Sequence, residues 1–142
     1  MFFAASESTA ADNLLSLSRC VGGKRTAPVF LDYESALAAI FDLASHERLI
    51  FVMDEYPYLA AAYPGVSSLL QIMIDHQRER SKLMLILCGS SMSFMESQVL
   101  GYKSPLYGRR TAQFKILPFS FFEALPFFEN HEPADKAVLY GS

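Results

Sequence analysis

Few residues in this chain are suited to zinc binding or cross-linking. Among 142 residues there are two cysteines, Cys20 and Cys88, and three histidines. The cysteines are far apart with no C-x-x-C, and His46, His76 and His131 are scattered, so neither a zinc site nor a disulfide framework is expected. Long apolar runs are also missing. The longest strongly apolar runs, Leu49 to Met53 and Leu83 to Cys88, are the size of strands and fall far short of the roughly 20 residues that span a bilayer. Met1-Phe2-Phe3-Ala4-Ala5 lacks the basic start and apolar length of a signal peptide, which gives the expectation of a cytoplasmic protein that does not enter a membrane. Charge of one sign does not dominate either: 12 Lys and Arg stand against 15 Asp and Glu, a net charge of −3. That balance argues against a nucleic-acid surface, because Arg78, Arg80, Lys82, Lys103, Arg109 and Arg110 form no basic stripe interleaved with aromatics.

What is present is apolar bulk, 51% of the chain, enough to fold. Four short apolar runs alternate with amphipathic stretches, a pattern that predicts an α/β fold with a mainly parallel sheet. Strands are expected at Phe2 to Ala5, Leu49 to Met53, Leu83 to Cys88 and Gln113 to Leu117. Helices are expected from about Thr9 to Cys20, stopped by Gly22-Gly23, from Asp32 or Tyr33 to Ser45, from Val66 to about Arg80, and from about Ser91 to Gln98. Ser120-Phe121-Phe122-Glu123 fits a capping box, with Pro126 keeping the helix that follows short.

The sharpest local signal is Leu49-Ile50-Phe51-Val52-Met53-Asp54-Glu55, in which five apolar residues deliver two adjacent carboxylates to the end of a buried strand. Ligands of open α/β sheets gather at that end. In nucleotide hydrolases such an Asp holds Mg²⁺ and the Glu beside it polarises the attacking water. The plainer alternative is that both acids begin a solvated loop. The strand at Leu83 to Cys88 ends in Gly89-Ser90-Ser91, which brings hydroxyls to the same edge. Ser90 there serves either as a polar sensor of the γ-phosphate or as a helix cap, and Ser91 suits the cap better. The loop Ser104-Pro105-Leu106-Tyr107-Gly108-Arg109-Arg110 carries paired guanidinium groups, suited to charge on a phosphoryl group or simply to solvent.

In that order these motifs resemble an internal piece of the prokaryotic AAA+/STAND-like P-loop ATPases. The resembling residues are Phe2 to Ser6, Leu49 to Tyr58, Leu83 to Met92 and Ser104 to Glu123, with Tyr107-Gly108-Arg109-Arg110 and Leu117-Pro118-Phe119-Ser120 the most specific after the acids. The resemblance implies a three-layer sandwich and ATP hydrolysis with ATP and Mg²⁺ as cofactors. It also implies Asp54 on the metal, Glu55 as catalytic base, Ser90 as sensor-like residue and Arg109 as a finger-like arginine, with Arg110 as its substitute. An arginine acting in trans would require a homo-oligomer.

The family's phosphate-cradling G-x-x-x-x-G-K-[ST] loop has no match. Gly22-Gly23-Lys24-Arg25 lacks its spacing and its hydroxyl residue and reads as a helix-ending loop. The resemblance therefore implies a partial domain over residues 1–142, truncated at both ends and holding strands 2 to 5 of a sheet ordered 5-1-4-3-2. The expectation is an ATPase core inactive by itself, whose other partners are its own missing domains. The alternative is a non-catalytic interaction module of degenerate P-loop fold, supported by phenylalanines 119, 121, 122, 127 and 128.

Overall fold

The computed structural model describes residues 1–23, 29–128, 132, 135–136 and 139–140. Lys24, Arg25, His131 and Gly141 lie outside the described residues. The chain divides into two compact units, Met1–Arg110 and Thr111–Ser142.

In the first unit three short apolar runs become a parallel sheet in the order β1-β2-β3, with β1 Phe2–Ala4, β2 Leu49–Asp54 and β3 Leu83–Leu87. The register pairs Phe3 with Met53 and Phe51 with Leu85. Two helices, α1 (Ala10–Gly22) and α2 (Tyr33–His46), connect β1 to β2. Two more, α3 (Tyr56–Ala62) and α4 (Val66–Gln77), connect β2 to β3. Strand order and sequence order advance together, so right-handed crossovers put all four helices on one face of the sheet. The core lies there: Phe3, Phe51 and Met53 from the strands pack with Leu17, Leu37, Ile40, Leu59 and Leu70 from the helices.

The opposite face is the surprise for a parallel sheet, since such sheets are normally covered on both sides. Phe2, Ile50 and Met84 are 61%, 49% and 50% exposed there. Among the described residues there is one helical layer, where three layers were expected.

Local chemistry explains the element ends. Thr9 caps α1 by accepting the Asp12 N–H, and Gly23, at φ 64°, closes it by donating to the Arg19 carbonyl. Asp32 caps α2 by accepting the Ser35 N–H at 2.7 Å, and its carboxyl is held below the usual range by that bond. Buried Asn13 exchanges two hydrogen bonds with the Ser6 backbone, at 3.0 and 3.1 Å, and so pins the loop that leaves β1.

Helix α3 was not among the expected helices. Pro57 stands in its first turn, where a missing N–H costs nothing. After β3 a short helix α5 (Met92–Phe94) runs into a π-helical turn at Met95–Val99.

In the second unit the expected Ser120–Glu123 capping box is formed at the start of α6 (Phe121–Ala124), and a 3₁₀ turn at Leu125–Phe128 follows as Pro126 requires. The strand expected at Gln113 to Leu117 does not form. Residues 111–120 are all exposed, with Phe114 and Ile116 at 83% and 85%. A β-prone segment becomes a strand only when a neighbouring strand takes up its backbone groups, and none does so among the described residues.

Candidate functional site

The carboxyl ends of β2 and β3 bring together three of the groups singled out above. Asp54 is the last residue of β2, half-buried, and its Oδ1 accepts the N–H of Glu55 at 3.0 Å. Glu55 turns sharply into α3 with φ 50° and ψ 41°, the one non-glycine residue at positive φ among those described. A side chain at such φ is disfavoured and is held there by its surroundings. The hold is visible on both sides: the Tyr56 N–H donates to the Cys88 carbonyl at 2.9 Å, and the Cys88 N–H donates to the Met53 carbonyl at 2.9 Å.

Buried Tyr56 anchors the first turn of α3, its hydroxyl lying 2.7 Å from Ser67 Oγ on α4. Burial pushes its phenol up to about 12. The exit of β3 passes so close to this turn that a Cβ on Gly89 would stand 2.5 Å from Pro57 Cδ.

This close approach sets Ser90 beside Glu55. The Ser90 hydroxyl donates to Glu55 Oε2 at 3.2 Å, and the Ser90 backbone N–H reaches the same oxygen at 3.5 Å. The result is an edge with two carboxylates on consecutive residues, one of them fixed by a hydroxyl. The cap expected of Ser91 is not made through its side chain.

Arg109 is placed elsewhere. Arg109 forms a bidentate pair with Asp75 in the last turn of α4, Nε to Oδ1 at 2.8 Å and Nη2 to Oδ2 at 2.6 Å. Its Nη1 also donates to the Pro105 and Tyr107 carbonyls. The pair depresses the Asp75 carboxyl and raises the guanidinium. Because α4 runs antiparallel to the strands, its last turn lies toward the amino end of the sheet, away from Asp54, Glu55 and Ser90. Arg110 donates to the Leu100 carbonyl at 3.1 Å.

Sequence reasoning missed Asp75 as the partner of Arg109. The one local hint was an acid on a predicted helix, and nothing in the sequence links positions 34 residues apart.

The donor set is oxygen only. Among the described residues no three His, Cys, Asp or Glu side chains cluster as a metal cage. A site with one or two carboxylates and a hydroxyl fits Mg²⁺, which keeps waters and takes its remaining ligands from a phosphate. Among the described residues no helix is long and apolar enough to cross a membrane.

The sequence matches no family model, and no solved structure matches it. It is similar to the uncharacterized protein MJECL04 of Methanocaldococcus jannaschii, 41% identical over 92 residues, which make up 65% of this chain and 21% of that protein. The chain therefore spans about a fifth of the length of the curated relative it matches.

Proposed function

We propose that the first unit is part of an ATP-binding, ATP-hydrolysing core of the AAA+ kind. One observation carries this reading: consecutive acids leave β2 at the carboxyl edge of a parallel sheet, and the hydroxyl of Ser90, leaving the adjacent strand, donates to the second of them at 3.2 Å. Asp54 would hold Mg²⁺, directly or through water. When bound, the ion would neutralise charge that develops on the phosphoryl oxygens during transfer. Glu55 would accept the proton of the attacking water, and Ser90 positions Glu55 by holding Oε2. Arg109 and Arg110 enter this reading through the resemblance alone.

The sequence holds no G-x-x-x-x-G-K-[ST] loop, so the amides that cradle a triphosphate are not supplied by residues 1–142. The chain by itself is therefore expected to bind Mg·ATP weakly, in the millimolar range, and to hydrolyse it negligibly.

An amide NMR titration with Mg·ATP tests the reading. Shifts should concentrate at Asp54, Glu55 and Ser90, and Asp54→Ala should remove their dependence on Mg²⁺. Shifts scattered over the surface, or none at ~10 mM nucleotide, well above the expected dissociation constant, would remove the nucleotide site. They would favour a non-catalytic interaction module, for which the exposed Phe119, Phe122 and Phe127 of the second unit are the supporting observation.

A further inference from the structure

Helices α2 and α4 lie side by side on the covered face of the sheet, and between their outer surfaces runs a groove of about 570 Å³. Its floor is apolar, made by Ala38 and Phe41 of α2 and by Leu69, Ile72 and Met73 of α4. Ile72 stands 51% exposed in the middle of α4. The walls differ in charge. The α2 wall carries Glu34 and Asp42, while the α4 wall carries His76 and, just past the helix end, Arg80.

We infer that this groove is a contact surface for a second copy of the chain, joined about a two-fold axis that runs along the helices. Both helices precede parallel strands and so point the same way. A two-fold along them lays α2 of one copy over α4 of the other, with carboxyl ends together. Asp42 then meets His76 and Arg80 of the second copy. Glu34 falls at the amino end of the other α4, whose first turn has no acidic residue and no side-chain cap and presents the positive end of the helix dipole. Ala38, the smallest side chain on its wall, leaves room for Ile72 of the opposite copy, and symmetry repeats each contact twice.

The charges nearest the groove do not oppose this. Asp75 is taken up by Arg109, and Asp42 has among the described residues of its own copy only His46 as an ion-pair partner, at 3.9 Å, both strongly exposed.

Sedimentation equilibrium from ~1 µM to ~1 mM, the range in which small interfaces dissociate, tests it. The average mass should rise reversibly from 15.9 kDa toward twice that value. Ile72→Glu and Asp42→Arg should each weaken association about tenfold or more. Combining Asp42→Arg with Arg80→Asp should restore it to within about threefold of the parent. Circular dichroism should show each variant folded. A chain that stays monomeric at the top of the range, a dimer indifferent to both single variants, or one abolished instead by Ile50→Glu on the open sheet face would each overturn the assignment.

Discussion

Replacing Gly89 by alanine probes the joint that brings β3 against the first turn of α3. A Cβ there would lie 2.5 Å from Pro57 Cδ and 2.8 Å from Pro57 Cγ, where nonbonded carbons prefer about 3.5–4.0 Å. The third neighbour, Met95 Sδ at 3.3 Å, sits on a flexible side chain and can yield. The proline ring cannot, because it is closed onto the backbone of a buried turn. Relief requires the two segments to part by about 1 Å, a strain of roughly 1–3 kcal/mol for overpacking. In thermal unfolding that corresponds to a loss of roughly 5–15 °C for a unit of this size. Pro57→Ala removes Cγ and Cδ and should itself cost no more than about 1 kcal/mol, through added freedom of the unfolded chain. The double variant should then be about as stable as Pro57→Ala, giving a coupling of at least ~1 kcal/mol between the two sites. Urea unfolding followed by circular dichroism measures all four corners of the cycle. A Gly89→Ala protein within about 0.5 kcal/mol of the parent, or strictly additive effects, would refute the claim that the close approach fixes the edge.

Leu37 is fully buried at the centre of the helical layer, so Leu37→Ala should cost about 2–5 kcal/mol in urea unfolding, and a loss under 1 kcal/mol would mean that the core is misplaced. Tyr56→Phe deletes the hydroxyl bonded to Ser67 and should cost about 1 kcal/mol. It should also remove a phenol ionisation near 12 from the absorbance titration. Because folding raises that pKa above its ordinary value of 10, the stability it reflects is whole below pH 10 and declines as pH rises toward 12. At the acid end the sign reverses. Folding lowers the carboxyl of Asp75 through Arg109, and that of Asp32 through Ser35, below the ordinary 3.8, so their contribution is present above pH 3.8 and lost as pH falls through the depressed values. Asp75→Asn should flatten that acid limb, and an unchanged acid midpoint would show that the pair adds nothing.

How much of this was legible in the sequence varied with the range of the interaction. The three strands were readable because each is a short, continuous apolar run, and the helix starts were readable because Thr9, Asp32 and Ser120 have side chains that accept an N–H three residues on. Such signals sit within a few residues of the feature they dictate.

Helix α3 was hidden because proline at a helix start and proline as a breaker look alike until the next turn packs, here through Tyr56 and Leu59 in the core. Gln113 to Leu117 failed in the opposite sense, since a β-prone run states a readiness to pair and cannot state whether a neighbour exists. At the site, the adjacency of Asp54 and Glu55 was legible. The left-handed turn at Glu55 and the bond from Ser90 were not, because they depend on Gly89 meeting Pro57, 32 positions apart in the sequence. The arginines show the same limit: as a pair in a loop they suited a phosphate or solvent, and an unforeseen acid on α4 holds one of them.

The most direct test of the proposed role of Asp54, Glu55 and Ser90 is paramagnetic broadening of amide signals by Mn²⁺·ATP. Signals of Asp54, Glu55 and Ser90 should disappear first, those of Arg109 and Asp75 should persist, and Asp54→Asn should abolish the selective loss. Equal broadening at both ends of the sheet, or selective loss that survives Asp54→Asn, would contradict it.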